Sequence, residues 1–193
     1  MPIDIRESFQ VRAPIDVVWR FLLDPHQVVA CMPGAELEEI AGEDTFLGNI
    51  RVKAGPITTT YKGRAQFTEV DPQAYTIRMT AEGLEASGGS ARGTMFSRLQ
   101  PSADGGTEVT AEASAELTGR VMQFGRGMVQ GVSQQLFQQF ADAVVQRLES
   151  PEEERAAAPE RQPIAIVPLV LREIWTAIVR LFRRLFRRPA KPQ

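Results

Sequence analysis

The chain has 193 residues, 43% hydrophobic and 24% charged, enough for one domain with a true core plus an extension. Its one cysteine, Cys31, excludes an internal disulfide framework, and its one histidine, His26, leaves little material for a metal centre or a histidine-based catalytic site. The net charge of −2 hides an asymmetry: residues 1–148 carry 13 basic and 18 acidic side chains, whereas residues 168–193 set six arginines and Lys191 against Glu173 alone. An acidic body with a basic tail points the tail toward an anionic partner.

The opening MPIDIRESF has no apolar signal core, so a signal peptide is not expected and a cytoplasmic location is the default. Ile3, Ile5, Phe9 and Val11 alternate as a first strand. Ala13-Pro14 ends it, and Pro14 suits the start of a helix. Val17, Val18, Phe21 and Leu22 then mark a short amphipathic helix that stops at Asp24-Pro25, and a second short helix runs from about His26 to Met32 before Pro33-Gly34.

From Ala35 to Thr118 the pattern is strand and turn. Turn signals at Gly42-Glu43-Asp44, Gly55-Pro56, Asp71-Pro72, Gly88-Gly89 and Asp104-Gly105-Gly106 divide it into strands over roughly 35–41, 45–54, 57–70, 75–86, 90–100 and 107–118. Strands joined in sequence by tight turns form an antiparallel meander. Period-two phasing places Phe46, Gly48, Ile50 and Val52 inward, then Tyr61, Gly63, Ala65 and Phe67, then Tyr75, Ile77, Met79 and Ala81. The next two strands add Ala91, Gly93, Met95 and Leu99, then Val109, Ala111, Ala113, Ala115 and Leu117.

Residues 119–148 carry the longest helical pattern, with Val121, Met128, Val132, Leu136, Phe140 and Val144 on one face. Gly119, Gly125, Gly127 and Gly131 thin its first half, each interior Gly costing about 1 kcal/mol against Ala. Gly and Ala are also frequent on the inward face of the sheet. Interiors pack to a density of about 0.75, so two thinned walls leave either a ligand cavity or a flatter sheet with the helix seated closer; the cavity is the expectation. The architecture expected is α+β: a seven-stranded curved antiparallel sheet wrapped on a long C-terminal helix, with two short helices after the first strand.

The segment 149–167 is charged, holds Pro151, Pro159 and Pro163, and reads as a flexible linker. In 168–193, Leu171, Ile174, Trp175, Ile178, Leu181, Phe182, Leu185 and Phe186 fall on one side of a helical wheel and Arg172, Thr176, Arg180, Arg183, Arg184 and Arg187 on the other. The arginines forbid a transmembrane span, which needs about 20 nearly uncharged apolar residues. A basic amphipathic helix with aromatic residues on its apolar face suits the membrane interface. Packing on the body or in a partner's groove are the alternatives. Nucleic acid is not expected, since the body is acidic and has no reading motif.

Recognisable catalytic chemistry is missing. His26 and Cys31 share one short helical stretch, but two residues do not make a metal site, and no phosphate-binding loop is present. His26 reads as a loop or cap residue and Cys31 as a small buried side chain; Met79, Met95, Met122 and Met128 read as core or as a pliable apolar lining. Acid–base work would fall to a cavity-facing carboxylate or tyrosine, for which the inward sets offer Tyr61 and Tyr75.

The order of elements and the stretch VRAPIDVVWRFLLDPHQVVACMPGAE, with Ala13, Pro14, Val18 and Trp19, Asp24-Pro25 and Met32-Pro33-Gly34-Ala35, resemble the helix-grip, START-like (SRPBCC) superfamily. Within it the chain resembles the CoxG family of carbon monoxide dehydrogenase accessory proteins. The residues that carry this are Cys31 to Ala35, Lys53-Ala54-Gly55-Pro56, Tyr61-Lys62-Gly63, and Leu117-Thr118-Gly119-Arg120 with Gly125, Gly127 and Phe140. The resemblance covers about residues 1–148. It implies a non-enzymatic partner of the molybdenum-containing carbon monoxide dehydrogenase or a related hydroxylase, which attaches that enzyme to the membrane and passes its electrons to the quinone pool. It also implies a bound quinone such as menaquinone in the cavity.

Strand and helix phasing nominate Phe46, Ile50, Tyr61, Phe67, Ile77, Met79, Met95, Met128, Gly131 and Val132 as ligand contacts. The tail nominates Ile174, Trp175, Ile178, Phe182, Arg183, Leu185, Phe186 and Arg187 as membrane contacts. The expected location is the cytoplasmic side of the membrane, peripherally held. A recruiter that anchors the enzyme without carrying a ligand is the second reading. No catalytic or metal-binding residue is nominated.

Overall fold

The computed structural model describes residues 2–55 and 57–150. The linker beyond Ser150 and the tail, with every nominated membrane contact, lie outside the described residues. The elements are β1 (Ile3–Val11), α1 (Ile15–Leu23), α2 (Pro25–Cys31), β2 (Ala35–Ile40), β3 (Thr45–Ala54), β4 (Ile57–Asp71), β5 (Thr76–Glu85), β6 (Ser90–Pro101), β7 (Thr107–Leu117), a 3-10 segment (Arg120–Phe124) and α3 (Arg126–Glu149). All seven strands form one curved antiparallel sheet in the order β1-β7-β6-β5-β4-β3-β2, and the expected α+β helix-grip architecture is what the chain adopts.

Local chemistry explains the boundaries. The Asp24 carboxylate accepts from the backbone N–H groups of His26 and Gln27 at 2.9 and 3.3 Å, so it caps α2 while Pro25 occupies the first turn. Asp71 accepts from the N–H groups of Gln73 and Ala74 at 2.8 and 3.0 Å and sets the turn into β5. Tyr75 leaves that turn with φ of 50°, so β5 begins at Thr76 and Tyr75 is a turn residue rather than a strand residue. Its ring meets Trp19 edge-on at 5.4 Å, and its hydroxyl donates to Asp16. That bond, with burial second, holds the phenol above the usual tyrosine range.

The long C-terminal pattern is not one helix. Gly119 and Gly125 adopt φ of 87° and 78°, conformations open to glycine and strained for other residues, and they bracket the 3-10 segment. The α-helix proper starts only at Arg126. A 3-10 segment turns in about three residues rather than 3.6, so the stripe drawn from Val121 through Met128 slips. Val129 is buried and Met128 is exposed. From Val132 onward the expected face holds.

The C-terminal half of α3 seats firmly. Phe140, Val144 and Leu148 join Val11, Val18, Trp19, Ile77, Leu99 and Val109 in the main core, which also buries Cys31. Phe9 meets Phe137 and Phe140 edge-on at 6.1 and 6.4 Å. Thr107, fully buried, donates to the Ala13 carbonyl at 2.7 Å and ties β7 to the start of α1. The N-terminal half of α3 has a smaller anchor, in which Val129 and Val121 pack with Ile3. The outer face of the sheet carries exposed ion pairs such as Arg78–Glu69 and Arg64–Glu82, both at 2.9 Å. Each is worth about 0–1 kcal/mol.

Candidate ligand cavity

The inward face of the sheet is stripped of bulk along two adjacent rows. In one, Leu37, Gly48, Gly63, Gly83, Ala91 and Leu117 pair across six strands; in the next, Phe46, Ala65, Ala81, Gly93 and Ala115 pair across five. The glycines let the sheet fold sharply. A Cβ at Gly48 would lie 2.3 Å from the Glu36 carbonyl oxygen, and one at Gly63 would lie 1.8 Å from that of Glu82. Backbone approach this close requires glycine.

Opposite these rows stands the lightly anchored half of α3. Between the two walls lies a cavity of about 350 Å³, within the range of small-molecule sites. Val121, Val129, Val132, Ser133 and Leu136 line it from the helical side. Val29 of α2 and Ala35 and Leu37 of β2 close one flank; Phe46, Ile50, Val52, Ala65 and Ala81 form the floor. Ala81 is on the inward face yet solvent-exposed, which places an opening beside it. Arg64 and Glu82 also border the cavity, but their charged ends pair with each other at 2.9 Å.

One end of this apolar space is polar. Thr59 and Tyr61, neighbours on the inward face of β4, are only 6% and 7% exposed, and among the described residues neither the Thr59 Oγ1 nor the Tyr61 hydroxyl makes a hydrogen bond of good geometry. Glu85 is the cross-strand partner of Tyr61. Burial first, and the Glu85 charge second, push the Tyr61 phenol above its ordinary range. The Ser87 hydroxyl, followed by the nearby Thr59 hydroxyl, holds the Glu85 carboxyl below the usual carboxylate range, with help from the Arg120 charge. Thr59 stands close enough to stabilise that charge without forming a bond of good geometry. Among the described residues no group of three or more His, Cys, Asp or Glu side chains is placed to hold a metal ion, and no helix is long and apolar enough to cross a membrane.

The profile of the carbon monoxide dehydrogenase CoxG family matches residues 8–149, which include the whole cavity. The chain belongs to the CoxG family. No curated protein sequence matches it. Among solved structures, it is similar to a conserved protein from Geobacillus kaustophilus, with a TM-score of 0.68 and 24% identity over 77% of this chain and 95% of that one. The Zhui aromatase/cyclase from Streptomyces sp. R1128 gives 0.60 and 18% over 82% and 99%. TTHA0849 from Thermus thermophilus gives 0.53 and 18% over 74% and 97%. At these identities the likeness shows the fold alone.

For this CoxG-family chain, the structure sorts the nominated ligand contacts into groups. Phe46, Ile50, Tyr61 and Val132 line the cavity together. Phe67 stands behind Phe46, edge-on at 5.1 Å, and packs on the main core. Ile77 is 4% exposed inside that core, because the firmly seated half of α3 and the α1 helix fill the space over its strand. Met79 and Met95 border a separate depression of mixed polarity shared with Arg6, Arg78, Phe96 and Glu112. Met128 is 43% exposed and Gly131 faces open space, both turned out by the restart of the helix at Arg126. The helical wall is therefore thinned by its light seating and not by its glycines.

Sequence reasoning passes over Thr59, Val29, Leu37, Val129 and Leu136 as ligand contacts. Period-two counting from Tyr61 puts Thr59 inward, so its signal is present in the run Thr58-Thr59-Thr60. Leu37 lines the cavity from the edge strand β2, where it pairs with Gly48 of β3, and Val29 lines it from α2, a tertiary placement that no local pattern reveals.

Proposed function

We propose that this protein is a non-catalytic carrier of a respiratory quinone such as menaquinone. The cavity between α3 and strands β3 to β6 shields the ring and the first part of the isoprenoid chain. The basic tail, 168–193, holds the protein peripherally on the cytoplasmic side of the membrane. The body offers its ligand to carbon monoxide dehydrogenase or a related molybdenum hydroxylase, which reduces it. The observation that carries this reading is an apolar cavity with an isolated polar end, in a chain of the CoxG family.

Physical need and geometry agree. Each buried CH₂ of an isoprenoid chain gains about 0.8 kcal/mol, so the molecule does not leave a bilayer for water unaided. Hydrocarbon walls lower that barrier, and an opening beside Ala81 gives the chain a way out. The full-length protein, incubated with menaquinone-4 vesicles and re-isolated, is expected to retain the quinone in about equimolar amount by native mass spectrometry. A protein that comes back empty would leave the recruiter reading in its place.

The membrane arm has its own test. Each Lys or Arg near an anionic surface adds about 1 kcal/mol, screened by salt. Removing residues 164–193 is expected to weaken sedimentation with phosphatidylserine-containing vesicles by at least about tenfold, and the binding of the full chain should fall as salt rises. Equal sedimentation of the two proteins would assign the tail to a protein partner.

A further inference from the structure

Two hydroxyls that are nine-tenths buried, with no hydrogen bond of good geometry among the described residues, line an apolar cavity, an arrangement that costs free energy unless a polar group reaches them. Thr59 and Tyr61 stand two residues apart on one face of β4, so their oxygens address the same end of the space. Glu85 stands beside them: it pairs directly with Tyr61 across the β4–β5 ladder, which puts the two side chains on the same face of the sheet. Resting on the reading of the cavity as a lipid site, we infer that Thr59 and Tyr61 mark its head-group end and donate hydrogen bonds to an uncharged ligand oxygen, a carbonyl or a hydroxyl, while Glu85 excludes carboxylate heads.

The chemistry is directional. A phenol that stays protonated is a donor, and a ligand carbonyl is an acceptor with two lone pairs, so both hydroxyls can serve one oxygen. A fatty-acid carboxylate placed there would be pushed into a low-dielectric space beside the like charge of Glu85. Arg120, which also acts on Glu85, offsets part of that charge. The site therefore separates ketone and quinone heads from acid heads of equal chain length, which an apolar cavity by itself cannot do.

The experiment uses the full chain and its Tyr61→Phe, Thr59→Val and Glu85→Gln variants, with displacement of Nile red by menaquinone-4, 2-heptadecanone, palmitate and heptadecane. Tyr61→Phe and Thr59→Val are each expected to weaken menaquinone-4 and the ketone by about 3- to 10-fold and to leave heptadecane unchanged. Tyr61→Phe should also raise the melting temperature of the ligand-free protein, since it removes a buried hydroxyl with no partner among the described residues; a merely structural role would lower it. The wild type should prefer the ketone to palmitate by about tenfold or more, and Glu85→Gln should narrow that gap. Variants that bind menaquinone-4 as well as the wild type does would overturn the head-group assignment and leave the quinone reading intact. A wild type that takes the ketone through Tyr61 and refuses menaquinone-4 would keep the assignment and end the quinone reading. Palmitate binding as tightly as the ketone would overturn the exclusion, and no displacement by any probe would overturn both readings.

Discussion

Gly63→Ala is expected to destabilise the protein by about 3 kcal/mol or more, whereas Gly131→Ala should stabilise it by about 0.5–1 kcal/mol. The two substitutions add the same methyl group. At Gly63 that group would stand 1.8 Å from the Glu82 carbonyl oxygen, inside the β4–β5 ladder, where backbone and not a pliable side chain is in the way. Either the ladder opens or the strand shifts, and each loses hydrogen bonds of the cavity floor. At Gly131 no atom of the described residues lies within 4 Å of an added Cβ, and the residue is exposed within a regular helix. There alanine only reduces the freedom of the unfolded chain and improves helix propensity. A domain holds on the order of 5–15 kcal/mol in total, so the first change takes a large fraction of it. Urea denaturation followed by far-UV circular dichroism reads both. If Gly63→Ala proves neutral, the sheet does not bend at the Gly48–Gly63–Gly83 row, and the cavity floor described above is wrong.

Those two glycines also show how far the sequence can be followed. The sheet is legible because each strand ends on turn chemistry that acts locally: the Asp71 carboxylate on the Gln73 and Ala74 N–H groups, Gly88 and Gly105 with positive φ. Hairpin turns then fix register, so the inward rows through Gly48, Gly63, Ala65 and Ala81 follow from counting by twos. The helix is harder. Its period is sound on each side of Gly125, but a positive-φ residue resets the phase, and no apolar pattern records the size of that reset. Met128 and Gly131 are nominated by the unbroken period and face outward because of the reset. The extent of the cavity is a tertiary matter. Ile77 and Val52 share the inward face, yet α1 and the aromatic end of α3 cover the first and leave the second at the cavity. Thr59 escapes notice because a hydroxyl in an inward position reads as a strand former until its lack of a partner is seen.

Val132→Trp is expected to abolish quinone uptake, lowering menaquinone-4 affinity by more than about tenfold, while the unfolding free energy stays within about 1.5 kcal/mol of the wild type. Val132 is the α3 residue among the four nominated contacts that do line the cavity, and it faces a floor of glycine and alanine. An indole there has room to enter, so the added bulk fills existing volume and does not force the helix away; the helix tolerates Trp nearly as well as Val. The same space is then denied to a ring-headed lipid. Gly131→Trp, one residue earlier and turned to solvent, is the matched control and should bind menaquinone-4 as the wild type does. The pair also separates carriage from recruitment. Val132 is half-buried and lines the cavity, so its replacement changes the cavity before the outer faces, and co-sedimentation with carbon monoxide dehydrogenase should persist while electron delivery to the quinone pool stops. Undiminished delivery with the cavity blocked would show that the protein's contribution is to hold the enzyme at the membrane. Undiminished quinone binding in Val132→Trp would place the ligand somewhere other than between α3 and the sheet.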